Sequence, residues 1–183
     1  MKWFDRFLRN WRIRKAIPHL VKAGRLLDVG CGDGTLLRRL SGGGFLGFGI
    51  DPRLIDPQAV TGVQFMRGSF PDDLPACEPF EVITMLAVLE HVPEDNKSAW
   101  VSACHRLLND DGRIVLTVPS PRVDTILAML RFFRLADGTA LEEHHGFKPV
   151  EVTPLFESAG FERVVHKTFQ FRLNNLFVFS KTT

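Results

Sequence analysis

Apolar positions along this chain follow two rhythms. Short apolar runs of strand length at 25–29, 45–50, 63–67, 80–86 and 113–118 alternate with segments at helical spacing, 34–41, 53–59 and 96–109. Strands separated by helical segments require parallel crossovers, so the pattern predicts a doubly wound, mostly parallel α/β sheet with helices on both faces. The alternation breaks after 118. Pro119-Ser120-Pro121 stops the fifth strand, and Ile126, Leu127, Met129, Leu130, Phe132 and Phe133 form a bulky apolar stretch interspersed with arginines. An insertion at about 121–148 that covers a substrate mouth is expected there. A helix over 149–159 ends at Gly160, and two β-rich runs, 161–169 and 175–181, meet at Leu173-Asn174-Asn175 as a hairpin-like ending.

Residues 1–24 read differently. Lys2, Arg6, Arg9, Arg12, Arg14 and Lys15 are interleaved with Trp3, Phe4, Phe7, Leu8, Trp11 and Ile13. The aromatic positions recur at helical spacing and predict an amphipathic basic helix. Two placements suit it. It can pack over the cleft of the domain formed by 25–183, or residues 1–17 can contact an anionic membrane surface peripherally.

Composition narrows the class. A chain of 183 residues with 45% hydrophobic and 24% charged residues suits one globular domain. The net charge of +2 is too small to call for nucleic acid, and none is expected as a partner. Cys31, Cys77 and Cys104 stand singly, with no C-x-x-C pair, which points to a reducing, cytoplasmic compartment and to neither a zinc site nor a disulfide framework. No apolar run reaches transmembrane length.

The chemistry concentrates at Leu26-Leu27-Asp28-Val29-Gly30-Cys31-Gly32-Asp33-Gly34, an apolar run ending in a glycine turn and followed by the helical pattern Thr35 to Leu40. Glycines there let backbone groups approach a nucleotide-like ligand without Cβ atoms between. A dinucleotide fingerprint requires glycine at the position held by Thr35. Asp28 stands two residues before the first glycine. A carboxylate there repels a pyrophosphate, but it can accept from an ammonium group or hold the glycine loop through its N–H groups. The ligand implied is a nucleoside with a cationic, amino-acid-like arm, a description that S-adenosylmethionine fits.

At this point the chain resembles the class I S-adenosylmethionine-dependent methyltransferases, in particular the small single-domain branch that includes quinone-biosynthesis methyltransferases. Further pieces fall in that family's order: Gly49-Ile50-Asp51-Pro52-Arg53, the stretch Phe80 to Val92 with Ala87-Val88-Leu89-Glu90-His91, and the stretch Arg106 to Leu116. The resemblance covers about 25–183. It implies a seven-stranded sheet of order 3-2-1-4-5-7-6 with the last strand antiparallel, S-adenosyl-L-methionine as cofactor and S-adenosyl-L-homocysteine as product.

Read residue by residue, Asp28, Gly30, Cys31, Gly32 and Gly34 line the cofactor turn. Asp51, at a strand's carboxyl end, suits the two ribose hydroxyls, although a cap before Pro52 is an ordinary role for such an acid. Pro52 flanks the adenine. After the third strand the family often carries an acid that accepts from the adenine amino group; Ser69 occupies that place here, so adenine recognition falls to Ser69 and the Phe70 backbone, with Asp72 or Asp73 as substitutes. Leu86 and Ala87 end the fourth strand, where carbonyls can receive the methionine ammonium.

Glu90 reads as an acid organising the loop, and His91 as either a pocket-lining group or a general base. Glu142-Glu143-His144-His145 follows the insertion. The resemblance places one histidine on the substrate side there, and His145 matches it, an imidazole able to take a hydroxyl proton near neutral pH. Consecutive ionisable residues face apart on a helix or strand, so no metal site is expected. The activity implied is methyl transfer to a small-molecule or lipid-like acceptor by a monomer or homodimer. Two rivals of other classes are a non-catalytic binding module of the same fold and a nicotinamide-dependent oxidoreductase.

Overall fold

The computed structural model describes residues 2–21, 23–54, 59–120 and 148–182, and side chains from residue 6 onward. Helix α1 (Lys2–Ala16) and a 3-10 turn (Ile17–His19) lead into strand β1 (Gly24–Val29), helix α2 (Thr35–Leu40), and strands β2 (Phe45–Asp51), β3 (Val63–Arg67) and β4 (Phe80–Leu86). A 3-10 turn (Leu89–His91), helix α3 (Glu94–Leu107) and strand β5 (Leu108–Pro119) follow; helix α4 (Pro149–Glu157) and strands β6 (Phe161–Phe169) and β7 (Asn174–Lys181) close the chain.

The sheet has seven strands in the order β3-β2-β1-β4-β5-β7-β6. The pairs from β3 through β5 are parallel, and β7 runs antiparallel to both β5 and β6. The order that the family resemblance implies is therefore the order found. Side chains alternate across the pleat. Leu27, Val29, Ile83, Met85, Ile114, Leu116, Phe177 and Phe179 meet Val101 and Cys104 of α3 and Val152 and Phe156 of α4. Leu26, Val82, Val115, Leu176 and Val178 face the opposite way, against Leu37 of α2 and Ala16 and Trp11 of α1. Helices thus cover both faces. The central strands β1 and β4 read as near-continuous apolar runs because little of either face meets water.

Three details depart from the sequence pattern. The helix expected at 53–59 is not formed among its described residues: Pro52 and Arg53 lie in a turn after β2, and Val60 bridges to Val63. Pro57 interrupts that stretch and removes a helical donor. Strand β5 begins at Leu108 rather than 113, because Leu108 pairs with Phe80 across a register shift before the main ladder opens at Val82 and Arg113. The final turn lies at Gln170–Leu173, one step before the expected asparagines. Gln170, Phe171 and Arg172 take left-handed φ values of 51°, 56° and 66°, and Leu173 N–H donates to the Gln170 carbonyl at 3.0 Å. Asn174 and Asn175 already belong to β7, each with a buried side chain.

Candidate active site

The carboxyl ends of β1, β2 and β4 meet at the glycine turn. Gly30 N–H (2.8 Å) and Cys31 N–H (3.3 Å) both donate to the Ile50 carbonyl of β2, which fixes the entry of the turn. Gly32 N–H donates to Asp51 Oδ2 at 2.9 Å, and Arg53 N–H donates to Asp51 Oδ1 at 2.7 Å. One carboxylate therefore ties the glycine turn to the turn after β2, and each of its oxygens keeps a second lone pair.

The two leading glycines do different things. A Cβ at Gly30 would come within 2.4 Å of Val88 Cγ2, so glycine lets the turn close against the exit of β4. A Cβ at Gly32 would meet no atom within 4 Å, although its φ of +57° favours glycine. The space beside Gly32 is open, and the backbone lies bare to it, as a ligand cradle requires. Gly34 ends the turn as the residue before α2. Asp33 Oδ1 accepts from Thr35 N–H and Oγ1, and its Oδ2 pairs with Arg9 of α1 at 2.9 Å. Burial resists its charge, but the Thr35 bonds and the Arg9 guanidinium together hold Asp33 below the ordinary carboxylate range.

Asp28 is 4% exposed, and no hydrogen bond joins it to the loop N–H groups among the described residues. Of its two sequence roles, loop-holding belongs instead to Asp51 and the Ile50 carbonyl. Asp28 Oδ1 accepts from Thr84 Oγ1 at 2.6 Å across the β1–β4 ladder. Burial raises its pKa to about 7, the Thr84 bond opposes the rise, and the nearby Asp51 charge adds to it. Cys31 is buried, and burial followed by the Asp28 and Asp51 charges pushes its thiol far up, so it is not a nucleophile.

On the far side of the turn, Leu86 ends β4 opposite Thr117, and Ala87 follows at φ +62°, its N–H bonded to the Thr117 carbonyl at 2.9 Å. A non-glycine residue in this region is strained. Both residues are half-buried, as is His91, whose N–H closes a turn onto the Val88 carbonyl at 2.9 Å. At the β3 end, Ser69 is exposed, and its N–H donates to Asp73 Oδ2 at 2.7 Å. Asp73, not Asp72, is thus the acid that folds back onto this turn. The Phe70 side chain belongs to the core, edge-on to Trp100 at 5.1 Å, so Phe70 offers the site only its backbone.

Pro52 is exposed beside Asp51. His145 and the 121–148 insertion, apart from Lys148, lie outside the described residues. A separate cavity of about 240 Å³, lined by Leu27, Phe48, Met66, Leu74 and Cys77 among others, opens on the α3 side of the sheet, and none of these groups lines it.

The pattern at 25–34, at 51 and at 86–87 thus brings Asp28, Gly30, Cys31, Gly32, Asp51, Leu86 and Ala87 together. What it missed are partners rather than positions. Thr84, a polar residue within an apolar strand, is the donor to Asp28, and Arg9 reaches the glycine turn from α1. Glu90, read as a loop acid, is 3% exposed, and burial raises its pKa to about 7 against its own backbone N–H and the charge of Arg12.

Comparison with known proteins agrees with this geometry. Residues 2–167 match the family described as "Methyltransferase domain". The chain is 35% identical over 133 residues to the ubiquinone biosynthesis O-methyltransferase of Xylella fastidiosa, which covers 68% of this chain and 50% of that protein. It is 31% identical over 165 residues to the enzyme of the same name from Xanthomonas euvesicatoria, covering 82% of this chain and 68% of that one. The chain spans about half the length of most of the curated relatives it matches. Among solved structures, the Burkholderia thailandensis 1,6-didemethyltoxoflavin-N1-methyltransferase, with S-adenosylhomocysteine bound, superposes with a TM-score of 0.76 at 20% identity, covering 99% of this chain and 81% of that one. A TehB-like methyltransferase of Corynebacterium glutamicum gives a TM-score of 0.71 at 21% identity, covering 99% and 97%. The strand order, the glycine turn locked to Asp51 and these matches agree: the chain belongs to the class I S-adenosylmethionine-dependent methyltransferases.

Proposed function

We propose that this chain transfers a methyl group from S-adenosylmethionine to a small, apolar or lipid-like acceptor bearing a hydroxyl, of the kind that a quinone precursor presents. The observation that carries the reading is the open, bare backbone at Gly32, held by Asp51. In this reading Asp51 accepts from the ribose hydroxyls through its remaining lone pairs. Gly30, Cys31, Gly32 and Gly34 present backbone to the cofactor, with Asp28 behind them as the nearest buried acid. The Leu86 and Ala87 carbonyls receive its ammonium. Pro52, Ser69, the Phe70 backbone and Asp73 border the adenine.

When bound, the cofactor supplies a methyl group that is already electrophilic on a sulfonium. The protein's own work is then to place the acceptor oxygen in line and to exclude water. A base is needed only as the hydroxyl loses its proton. His145 and His91 are the candidates, and either must be neutral to accept. The O-methyltransferase names of the relatives support a hydroxyl acceptor. The decisive experiment is turnover of methyl-labelled S-adenosylmethionine against a panel of phenolic and lipid-linked acceptors. Label in an O-methyl product supports the reading, and label only in nitrogen or carbon products rejects the hydroxyl. If label appears, His145→Ala and His91→Ala assayed in parallel identify the base by a fall in kcat of about 10²–10⁴ with cofactor binding intact.

A peripheral membrane contact through α1 suits an apolar acceptor. Phe7 is 51% and Phe171 88% exposed, and Trp11 lies between them, 5.6 Å from the first ring and 6.4 Å from the second. The exposed Arg14 and Lys15 continue the helix beyond Trp11. Aromatic rings beside cations suit an anionic interface. Co-sedimentation with anionic but not zwitterionic vesicles supports the contact, and indifference to both rejects it.

A further inference from the structure

Helix α1 presents different residues on its two sides. Phe7, Trp11, Arg14 and Lys15 recur at helical spacing along one of them, with Phe7, Arg14 and Lys15 exposed and Trp11 half-buried. Arg9, Ile13 and Ala16 recur in the same way on the other, where Ile13 and Ala16 are buried.

The outward side continues beyond the helix. Trp11 meets Phe171 of the β6–β7 turn edge-on at 6.4 Å, and the Leu8 carbonyl accepts from Gln170 Nε2 at 3.3 Å. Phe171 is 88% exposed, and Arg172 beside it is exposed. Residues 6–16 include Arg6, Arg9, Arg12, Arg14 and Lys15 and no acid, and the turn 170–173 adds Arg172 and no acid. Cations around exposed rings fit the headgroups of an anionic bilayer. Single-stranded nucleic acid calls for ring faces turned alike, whereas these rings stand at 71° and 78° to one another. A lipid surface meets the whole ridge only while the helix lies against the turn.

The inward side reaches the glycine turn. Arg9 Nη1 pairs with Asp33 Oδ2 at 2.9 Å, and Asn10 Oδ1 accepts from Arg39 Nη2 of α2 at 2.7 Å. Arg38 Nε closes the same corner by donating to the Asp33 carbonyl at 3.2 Å. One helix therefore carries part of the ridge and holds both the glycine turn and the start of the crossover behind it.

We propose that lipid binding and cofactor binding are linked through α1: an anionic bilayer holds the helix against the β6–β7 turn, the seated helix holds Asp33 and α2, and the glycine turn then takes the cofactor more tightly. The proposal rests on the glycine turn being the cofactor cradle and on α1 being a peripheral membrane contact. Linkage is reciprocal, so the cofactor tightens lipid binding by the same factor. Both ties of α1 reach solvent, which limits that factor to about three- to fivefold.

Calorimetric titration of S-adenosylhomocysteine into the full chain, with and without vesicles of equal parts phosphatidylglycerol and phosphatidylcholine, tests it beside co-sedimentation with and without S-adenosylhomocysteine. The anionic vesicles are expected to lower the Kd for S-adenosylhomocysteine about three- to fivefold, and S-adenosylhomocysteine to raise vesicle affinity equally. Vesicles of phosphatidylcholine alone do neither. Phe171→Ser binds S-adenosylhomocysteine as the wild type does without vesicles, and it loses the gain. Arg9→Gln combined with Asn10→Ala keeps vesicle binding within about twofold, because both residues lie on the inward side, while the gain disappears. Vesicle binding that leaves S-adenosylhomocysteine affinity unchanged overturns the linkage. Weaker S-adenosylhomocysteine binding on vesicles overturns it too, since lipid then pulls the helix away. So does a full gain on phosphatidylcholine alone, in Phe171→Ser, or in Arg9→Gln with Asn10→Ala. If the wild type binds single-stranded RNA and no vesicles, or neither, the membrane reading falls and the linkage with it. If S-adenosylhomocysteine binds in neither condition, the cofactor reading falls instead, and co-sedimentation still decides the membrane contact.

Discussion

Asp28 and Asp51 stand at the ends of adjacent strands and are used in opposite ways. Asp51 is half-buried and bonded to two backbone donors, which leaves it a charged acceptor at the rim. Replacing it with alanine removes an anchor of the glycine turn as well as the proposed ribose contact. Asp51→Ala is expected to weaken S-adenosylhomocysteine binding by about 1.5–3 kcal/mol in calorimetry, the range for hydrogen bonds to a charged group; unchanged affinity takes Asp51 out of the site. Asp28 is sealed beneath the turn, and burial first, with the Asp51 charge, raises its pKa to about 7 against the Thr84 bond. The unfolded chain releases that proton near the ordinary value of 3.8, the folded chain only near 7. Raising pH through this window therefore favours unfolding, and the penalty is complete above 7. Asp28→Asn keeps an oxygen for the Thr84 hydroxyl and cannot ionise. Its stability relative to the wild type is expected to rise between pH 4 and 7, by at most ~1.4 kcal/mol per pH unit, and then level off. Urea melts across that range check it, and a pH-independent difference shows that Asp28 ionises as freely folded as unfolded.

At the scale of elements, the strands were legible because a strand largely buried on both faces is mostly apolar, and 25–29, 80–86 and 113–118 are mostly apolar. Turns were less so. The β6–β7 turn puts three successive non-glycine residues in the left-handed region, a choice that residue preferences oppose, whereas Leu173-Asn174-Asn175 carries the residues those preferences favour in turns. Tertiary bonds decide it: Asn174 Nδ2 donates to Gln170 Oε1, and Gln170 in turn donates to the Leu8 carbonyl of α1. No local pattern encodes a contact between residues 8 and 170. The conformation carries strain, and Arg172, exposed at φ 66°, is the position where it can be relieved without losing buried contacts. Arg172→Gly is expected to stabilise the protein by about 0.5–1 kcal/mol, the left-handed penalty less the extra entropy of an unfolded glycine. A loss of stability in equilibrium urea unfolding means that the Arg172 side chain itself supports the turn.

At the scale of the whole molecule, the doubly wound sheet follows from the alternation of strands and helices, whereas the place of β7 between β5 and β6 came only with the family resemblance. Periodicity marks a strand but not its neighbours. The same division holds at the site. The glycine turn and Asp51 are close in sequence within one βαβ unit and could be read together. The groups that bear on them from afar, Thr84 on Asp28 and Arg9 on Asp33, depend on which strand lies beside β1 and on where α1 lands. Those facts are properties of the assembled fold. The central claim is that the open space at Gly32 is where the cofactor lies, and titration of S-adenosylhomocysteine into the wild type and Gly32→Val by calorimetry tests it most directly. A Cβ there meets no protein atom within 4 Å, so any damage to binding is damage to the cradle or to a backbone held at φ +57°; thermal unfolding of both proteins separates the two. The account predicts micromolar-order affinity, about −8 kcal/mol, for the wild type and no measurable binding for a Gly32→Val protein that remains folded. Wild-type affinity in folded Gly32→Val would contradict it.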